Sequence, residues 1–128
     1  MMIKIDRIDH LVLTVTTIKN TCDFYCGILG MERETFGEGR IALKFGHQKF
    51  NLHPVGSDIK PKAKSPMPGS MDLCLITTTP IADVIAHLGK HQINTEIGPV
   101  TRMGANGPIT SLYVRDPDGN LVEISEYD

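Results

Sequence analysis

Five side chains in this sequence have the chemistry to hold a divalent ion: His10, Asn51, His53, Asp72 and Glu123. Imidazole nitrogen with carboxylate or amide oxygen suits hard and borderline ions such as Mn, Fe, Ni, Co or Zn. Such ligands, if they leave positions open, let the ion act as a Lewis acid on a bound oxygen. Each residue also has a plainer role. A single histidine on a strand is commonly a hydrogen-bonded structural residue, and a glutamate near the C-terminus is commonly solvated.

A second group has less specific chemistry. Tyr113 and Arg115 alternate on one strand face. Tyr113 either donates a proton to a developing oxyanion or packs its ring in the core, and Arg115 is a candidate for binding substrate. Arg102, just before Gly104-Ala105-Asn106-Gly107, can hold a carboxylate or phosphate, although glycine-rich loops often only turn. Cys74 falls on the same face as Asp72. No activating base is evident beside it, so it reads as a thiol in a pocket wall rather than a nucleophile. Cys22 and Cys26 read as buried, reduced thiols, because no second Cys or His pair joins them at zinc spacing. His87 and His91 have i, i+4 spacing but flank an apolar stripe and read as surface residues.

The elements that must position these residues come from periodicity. Asp9 to Val15 reads as a strand. Thr17 caps a helix with the stripe Ile18, Cys22, Tyr25 and Leu29, closed by Gly30. Arg33–Phe36 is a short strand, and Ile41–Phe45 with Lys49–His53 makes a hairpin around Gly46-His47. Residues 54–70, with Pro54, Pro61, Pro66 and Pro68 and three lysines, form a linker. The order then repeats. Met71–Thr77 is a strand, and Thr79-Pro80 caps a helix with the stripe Ile81, Val84, Ile85 and Leu88. Thr95–Ile97 and Thr110–Arg115 are strands, Asp116–Asn120 is a turn and Leu121–Ser125 is the closing strand.

Two β-α-β-β-β modules follow, about 5–55 and about 70–128, within one domain over 1–128. Their polar exceptions correspond: His10 with Asp72 in the first strands, Asn51 with Glu123 in the last. Strand alternation places Leu11, Leu13, Phe50, Leu52, Leu73, Leu75, Val122 and Ile124 on an apolar face. His10, Asn51, His53, Asp72 and Glu123 fall on the other, which is concave if the sheets curl. The fold class is α+β, with curled mixed sheets around a cavity.

Composition bounds the partners. The chain has 128 residues, 41% of them hydrophobic and 22% charged, which excludes a disordered chain. A net charge of −2 argues against nucleic acid or an anionic membrane as partner. No apolar run approaches the roughly 20 residues of a membrane span. No secretory h-region is evident at the start, so a cytoplasmic location is expected.

The paired modules, His10 at the head of the first strand, and Arg115-Asp116-Pro117-Asp118-Gly119-Asn120-Leu121-Val122-Glu123 resemble the vicinal oxygen chelate superfamily of glyoxalases, bleomycin-resistance proteins and extradiol dioxygenases. The resemblance covers essentially the whole chain. Gln48–His53 and Pro68–Leu73 are similar to the glyoxalase-domain-containing protein 5 subgroup, whose bacterial members are often labelled virulence proteins. It implies that His10 and Glu123 are metal ligands. Asp72 stands where histidine is usual and Asn51 where glutamate is usual, so either Asn51 or His53 completes the set. It further implies a homodimer.

The expected function is a metal-dependent enzyme of lyase, isomerase or dioxygenase type. It binds a small substrate through two oxygens and stabilises an oxyanion, with Glu123, Tyr113 and Asp72 as catalytic groups. The alternative is a metal-free protein that sequesters a drug or toxin, as bleomycin-resistance proteins do.

Overall fold

In the computed structural model, which describes residues Met1–Asp128, the run after Asp9 becomes strand β1 (His10–Val15). Thr17 caps α1 (Ile18–Tyr25), its side-chain oxygen accepting from Asn20 N at 3.2 Å. Strands β2 (Glu32–Phe36), β3 (Arg40–Phe45) and β4 (Gln48–Pro54) complete one compact unit, Met1–Met67, with sheet order β1-β4-β3-β2. The β1–β4 pair is parallel and the others antiparallel.

Alternation sorts this sheet as expected. Leu13, Val15, Leu43, Phe50 and Leu52 are buried, and Tyr25 of α1 meets Phe50 edge-on at 5.7 Å. Each such side chain removed from water contributes about 1.5–3 kcal/mol. The helix is shorter than its apolar pattern suggested. Regular bonding ends at Tyr25, and turns carry the chain to Gly30 (φ 78), where Met31 N reaches Tyr25 O at 2.9 Å. Leu29 therefore lies beyond the helix, and Phe24 and Thr21 are buried in its place.

The second unit, Pro68–Asp128, holds β5 (Asp72–Ile76), α2 (Ile81–Lys90), β6 (Ile97–Gly104), β7 (Gly107–Arg115) and β8 (Leu121–Tyr127). Its sheet order, β5-β8-β7-β6, again has one parallel pair, β5–β8. Leu112, Val114, Val122 and Ile124 are buried on one face, and Ile81 and Leu88 of α2 are buried too. Both units thus have the β-α-β-β-β order, and neither sheet closes. No helix is long and apolar enough to cross a membrane.

Two expectations fail here. Thr79 does not cap α2: Pro80 occupies the cap position in extended backbone, with no side-chain bond. Thr79 N instead donates to Thr77 Oγ1 at 3.0 Å, and Ile81 N donates to Glu126 Oε1 at 3.3 Å. A carboxylate from β8 thus meets the positive end of the helix, which a local capping pattern does not reveal. The expected short strand at Thr95–Ile97 is replaced by the eight-residue β6, which begins only at Ile97; the Gly104–Gly107 segment simply turns, as the hairpin with Gly104 opposite Gly107. Pro99 hid that strand, since proline breaks the strand pattern and the register shifts between Ile97 and Val100.

The turn before β8 is bonded throughout. Asp116 Oδ1 accepts from Asp118 N and Asn120 N, both at 2.9 Å, and Asp116 Oδ2 accepts from Asn120 Nδ2 at 2.7 Å. Asn120, 1% exposed, takes the Met71 N–H at 2.8 Å on its Oδ1. The turn therefore ties the start of β8 to the start of β5.

Candidate functional site

In the first unit, β1, β4 and β3 place His10, Asn51 and His53 on one face. Val12 lies opposite Asn51, which lies opposite Ala42; Thr14 lies opposite His53. His10 is nearly half exposed, and its Nδ1 is 2.9 Å from Asp9 Oδ2. That bond is the main cause holding the Asp9 carboxyl below its usual range. In the neutral ring, Nδ1 carries the shared proton and Nε2 keeps a free lone pair, an arrangement common behind metal-binding histidines.

Asn51 and His53 are buried, at 7% and 4% exposure. Asn51 Oδ1 has no hydrogen-bond partner. A buried acceptor in that state costs about 1–3 kcal/mol. His53 Nε2 accepts from Arg40 Nη2 at 3.1 Å. Burial first, then the charges of Arg40 and Lys62, holds His53 below the usual histidine range and neutral. His53 Nε2 is thus engaged, whereas Asn51 Oδ1 is not. Arg40 and Lys49 also share the Phe36 ring, at 4.9 and 4.0 Å from its centroid. Their role was not visible in sequence, because it depends on pairing across three strands.

In the second unit, Glu123 lies between Cys74 on β5 and Tyr113 on β7 in the ladder. Cys74, Arg102, Tyr113 and Glu123 line one cavity of about 410 Å³, with Met103 and Tyr127 among its other walls. Asp72 is exposed at the head of β5 on the same face, opposite Leu121, and does not line it.

Beneath Glu123 is a hydroxyl cluster that sequence reading missed. Ser125 and Ser111 are fully buried with their Oγ atoms 2.6 Å apart, and Ser125 Oγ donates to Glu123 Oε2 at 3.4 Å. Cys74 Sγ is 3.3 Å from Ser125 Oγ. Burial pushes the Cys74 thiol up, and the Glu123 charge adds to this, so the thiol stays protonated and a poor nucleophile. Cys74 is exposed to the cavity, whereas Cys22 is buried and Cys26 half-buried; all three are unpaired.

Arg102 Nε donates to the Tyr113 hydroxyl at 3.1 Å. Arg115, by contrast, does not line the cavity. It grips Glu96 with Nε and Nη2, each at 3.1 Å, and donates from Nη1 to Gly119 O at 3.1 Å. His87 and His91 are exposed and touch ring to ring at 4.9 Å. In neither unit taken alone do three His, Cys, Asp or Glu side chains gather as a ready ligand set.

Comparison with known proteins adds a family and its members. The model of the Glyoxalase/Bleomycin resistance protein/Dioxygenase superfamily matches residues 7–124. Virulence protein STM3117 of Salmonella typhimurium is 55% identical over 96% of this chain and 85% of its own length. Glyoxalase domain-containing protein RDO1 of Mycosarcoma maydis is 51% identical over 98% of this chain and 70% of its own. An integron cassette protein from the mobile metagenome of V. cholerae superposes with a TM-score of 0.98 at 52% identity, over all of both chains. Two more distant relatives are enzymes. They are the mitochondrial methylmalonyl-CoA epimerase of Mus musculus (26% identity, 96% of this chain, 74% of its own) and Biphenyl-2,3-diol 1,2-dioxygenase 2 of Rhodococcus globerulus (25%, 90% and 60%).

Proposed function

The chain belongs to the Glyoxalase/Bleomycin resistance protein/Dioxygenase superfamily, and from that premise we propose a metal-dependent enzyme of lyase, isomerase or dioxygenase type. Its substrate is a small molecule offering two oxygens. The residues that would act as ion ligands are His10, through Nε2, and Asn51, through Oδ1, in the first unit, and Glu123, with Asp72 as a further ligand or base, in the second.

The observation that carries this reading is Asn51 Oδ1, a buried amide oxygen with no partner. Amide and carboxylate oxygens with one imidazole suit a hard or borderline divalent ion. Asp9 supports it by orienting His10. Bound there, such an ion supplies Lewis-acid polarisation of the substrate oxygens.

The chain's own groups do the rest. Ser125 steadies one oxygen of Glu123. The Tyr113 hydroxyl accepts from Arg102, which leaves its own proton to donate to a developing oxyanion. The protein acts as a cytoplasmic homodimer in this reading, its thiols reduced.

The test is elemental analysis of the purified protein after dialysis with no metal added. A stoichiometric transition metal is expected. Metal-free sequestration of a drug-like molecule is the second reading, favoured by the cavity and its apolar rim, where Met103 is 77% exposed. A parent protein that takes up no divalent ion in calorimetric titration at neutral pH selects it.

A further inference from the structure

We infer that Arg102 and Tyr113 anchor the carboxylate of a small acid with an apolar body in the cavity of the second unit. This rests on the cavity being the substrate site of the proposed function, and not on the ion.

Arg102 has only neutral partners. Its Nε is on the Tyr113 hydroxyl, its Nη1 is 3.3 Å from Thr101 O, and its guanidinium lies 5.7 Å from the Tyr113 ring centroid. No ion pair includes it. Nη2 remains available, and so does the Tyr113 proton, because that oxygen accepts from Arg102. Two donors, one of them cationic, therefore line the same cavity without an acceptor. A carboxylate matches that pair, taking a charge-assisted N–H bond from Nη2 on one oxygen and the Tyr113 O–H on the other.

Glu123 limits the charge the ligand can carry. It lines the cavity and lies directly opposite Tyr113 in the ladder. A dianion such as phosphate would crowd its second charge against this carboxylate, while a single carboxylate at Arg102 does so less.

Apolar side chains make up part of the remaining walls. Ile76 and Met103 are 52% and 77% exposed, and Ile109 also contributes. Exposed apolar side chains around a cavity mark a contact surface, and methionine adapts to ligand shape. A volume of about 410 Å³ is of small-molecule scale. The ligand class is an aryl- or alkyl-substituted monocarboxylate.

The experiment is calorimetric titration of the full chain, dialysed against a chelator, with 3-phenylpropanoate, its neutral amide and inorganic phosphate. The acid is expected to saturate, with the amide and phosphate each at least about tenfold weaker. Arg102→Gln should weaken the acid by about tenfold or more and leave the amide within about twofold, with Arg102→Lys between parent and Gln. Tyr113→Phe should cost the acid several-fold. Equal affinity for acid and amide, phosphate binding as tight as the acid, an unaffected Arg102→Gln, or no saturation by roughly 10 mM acid would each overturn the assignment. The chain carries no ion in this experiment, so its failure leaves the metal reading standing. A parent that proves metal-free likewise leaves this result standing.

Discussion

Asn51 and Glu123 occupy the same station in their two modules. Asn51 lies opposite Val12, the third residue of β1, and Glu123 lies opposite Cys74, the third residue of β5. The two sheets therefore repeat in register as well as in order, and the position has diverged from one module to the other. Asn51 is buried with its Oδ1 unpartnered, while Glu123 is half-buried above the Ser125 hydroxyl.

If Asn51, Glu123 and His10 are ion ligands, losing any of them lowers ion affinity without touching the apolar faces. His10→Ala and Glu123→Ala should each remain folded and come out of dialysis metal-poor. Asp72→Asn should weaken retention equally if Asp72 is a ligand and less if it is not. Ion at a hundredfold over its dissociation constant should stabilise the parent by about 2.7 kcal/mol, because it binds only the folded state. Thermal melts with and without Mn or Zn measure this, and an unchanged parent midpoint argues against the site.

The Asp116–Asn120 turn should be sensitive to single-atom changes. Asn120→Ala removes the acceptor of the Met71 N–H and the amide that donates to Asp116 Oδ2, and should cost roughly 2–4 kcal/mol. Asn120→Asp should be worse, since it sets a second carboxylate 2.7 Å from Asp116 Oδ2. Urea denaturation gives both values.

Two glycines with positive φ should respond differently to alanine. At Gly119 (φ 85) an added Cβ meets nothing within 4 Å, so only backbone strain of about 1–2 kcal/mol is expected. At Gly98 (φ 112) the Cβ would come 2.5 Å from Ser111 O and 2.8 Å from Leu112 Cα, both backbone atoms in β7. Gly98→Ala should lose roughly 3 kcal/mol or more. Equal midpoints for the two variants would contradict the β6–β7 register.

Glu96 should make a pH-dependent contribution through Arg115. The hydrogen bonds from Arg115, then its charge, lower the Glu96 pKa from its ordinary 4.5. A depressed carboxyl stabilises the fold above its unfolded pKa, and that contribution is lost as pH falls through the folded value. Glu96→Gln should thus be less stable than the parent near neutrality, with the gap closing below about pH 4. The pair is exposed, so the gap is small. Parallel melts from pH 3 to 7 read it.

Assembly is open to direct measurement. The sheet faces that carry the site residues expose Val12, Ile76 and Ile97, at 40%, 52% and 47%. A homodimer that covers such surface sediments at twice the 14.1 kDa chain mass at micromolar concentration. A single species at the chain mass would remove this expectation.

The sequence by itself determined the module order, the faces of β1, β4, β5 and β8, and the turn before Glu123. These are local properties: a period of two sorts a strand's side chains, and Asp-Pro-Asp-Gly-Asn bonds to itself. It also paired His10 with Asp72 and Asn51 with Glu123, because the repeat preserves position. Only the tertiary structure decided what depends on partners distant in the chain. β6 runs through Pro99 because β7 pairs with it, and α2 begins on a carboxylate from β8. His53 is engaged because β3 brings Arg40 alongside, which leaves Asn51 with the free oxygen. Arg115 turns to Glu96 while Arg102 stays in the cavity, since ion pairs follow sheet register rather than spacing along the chain.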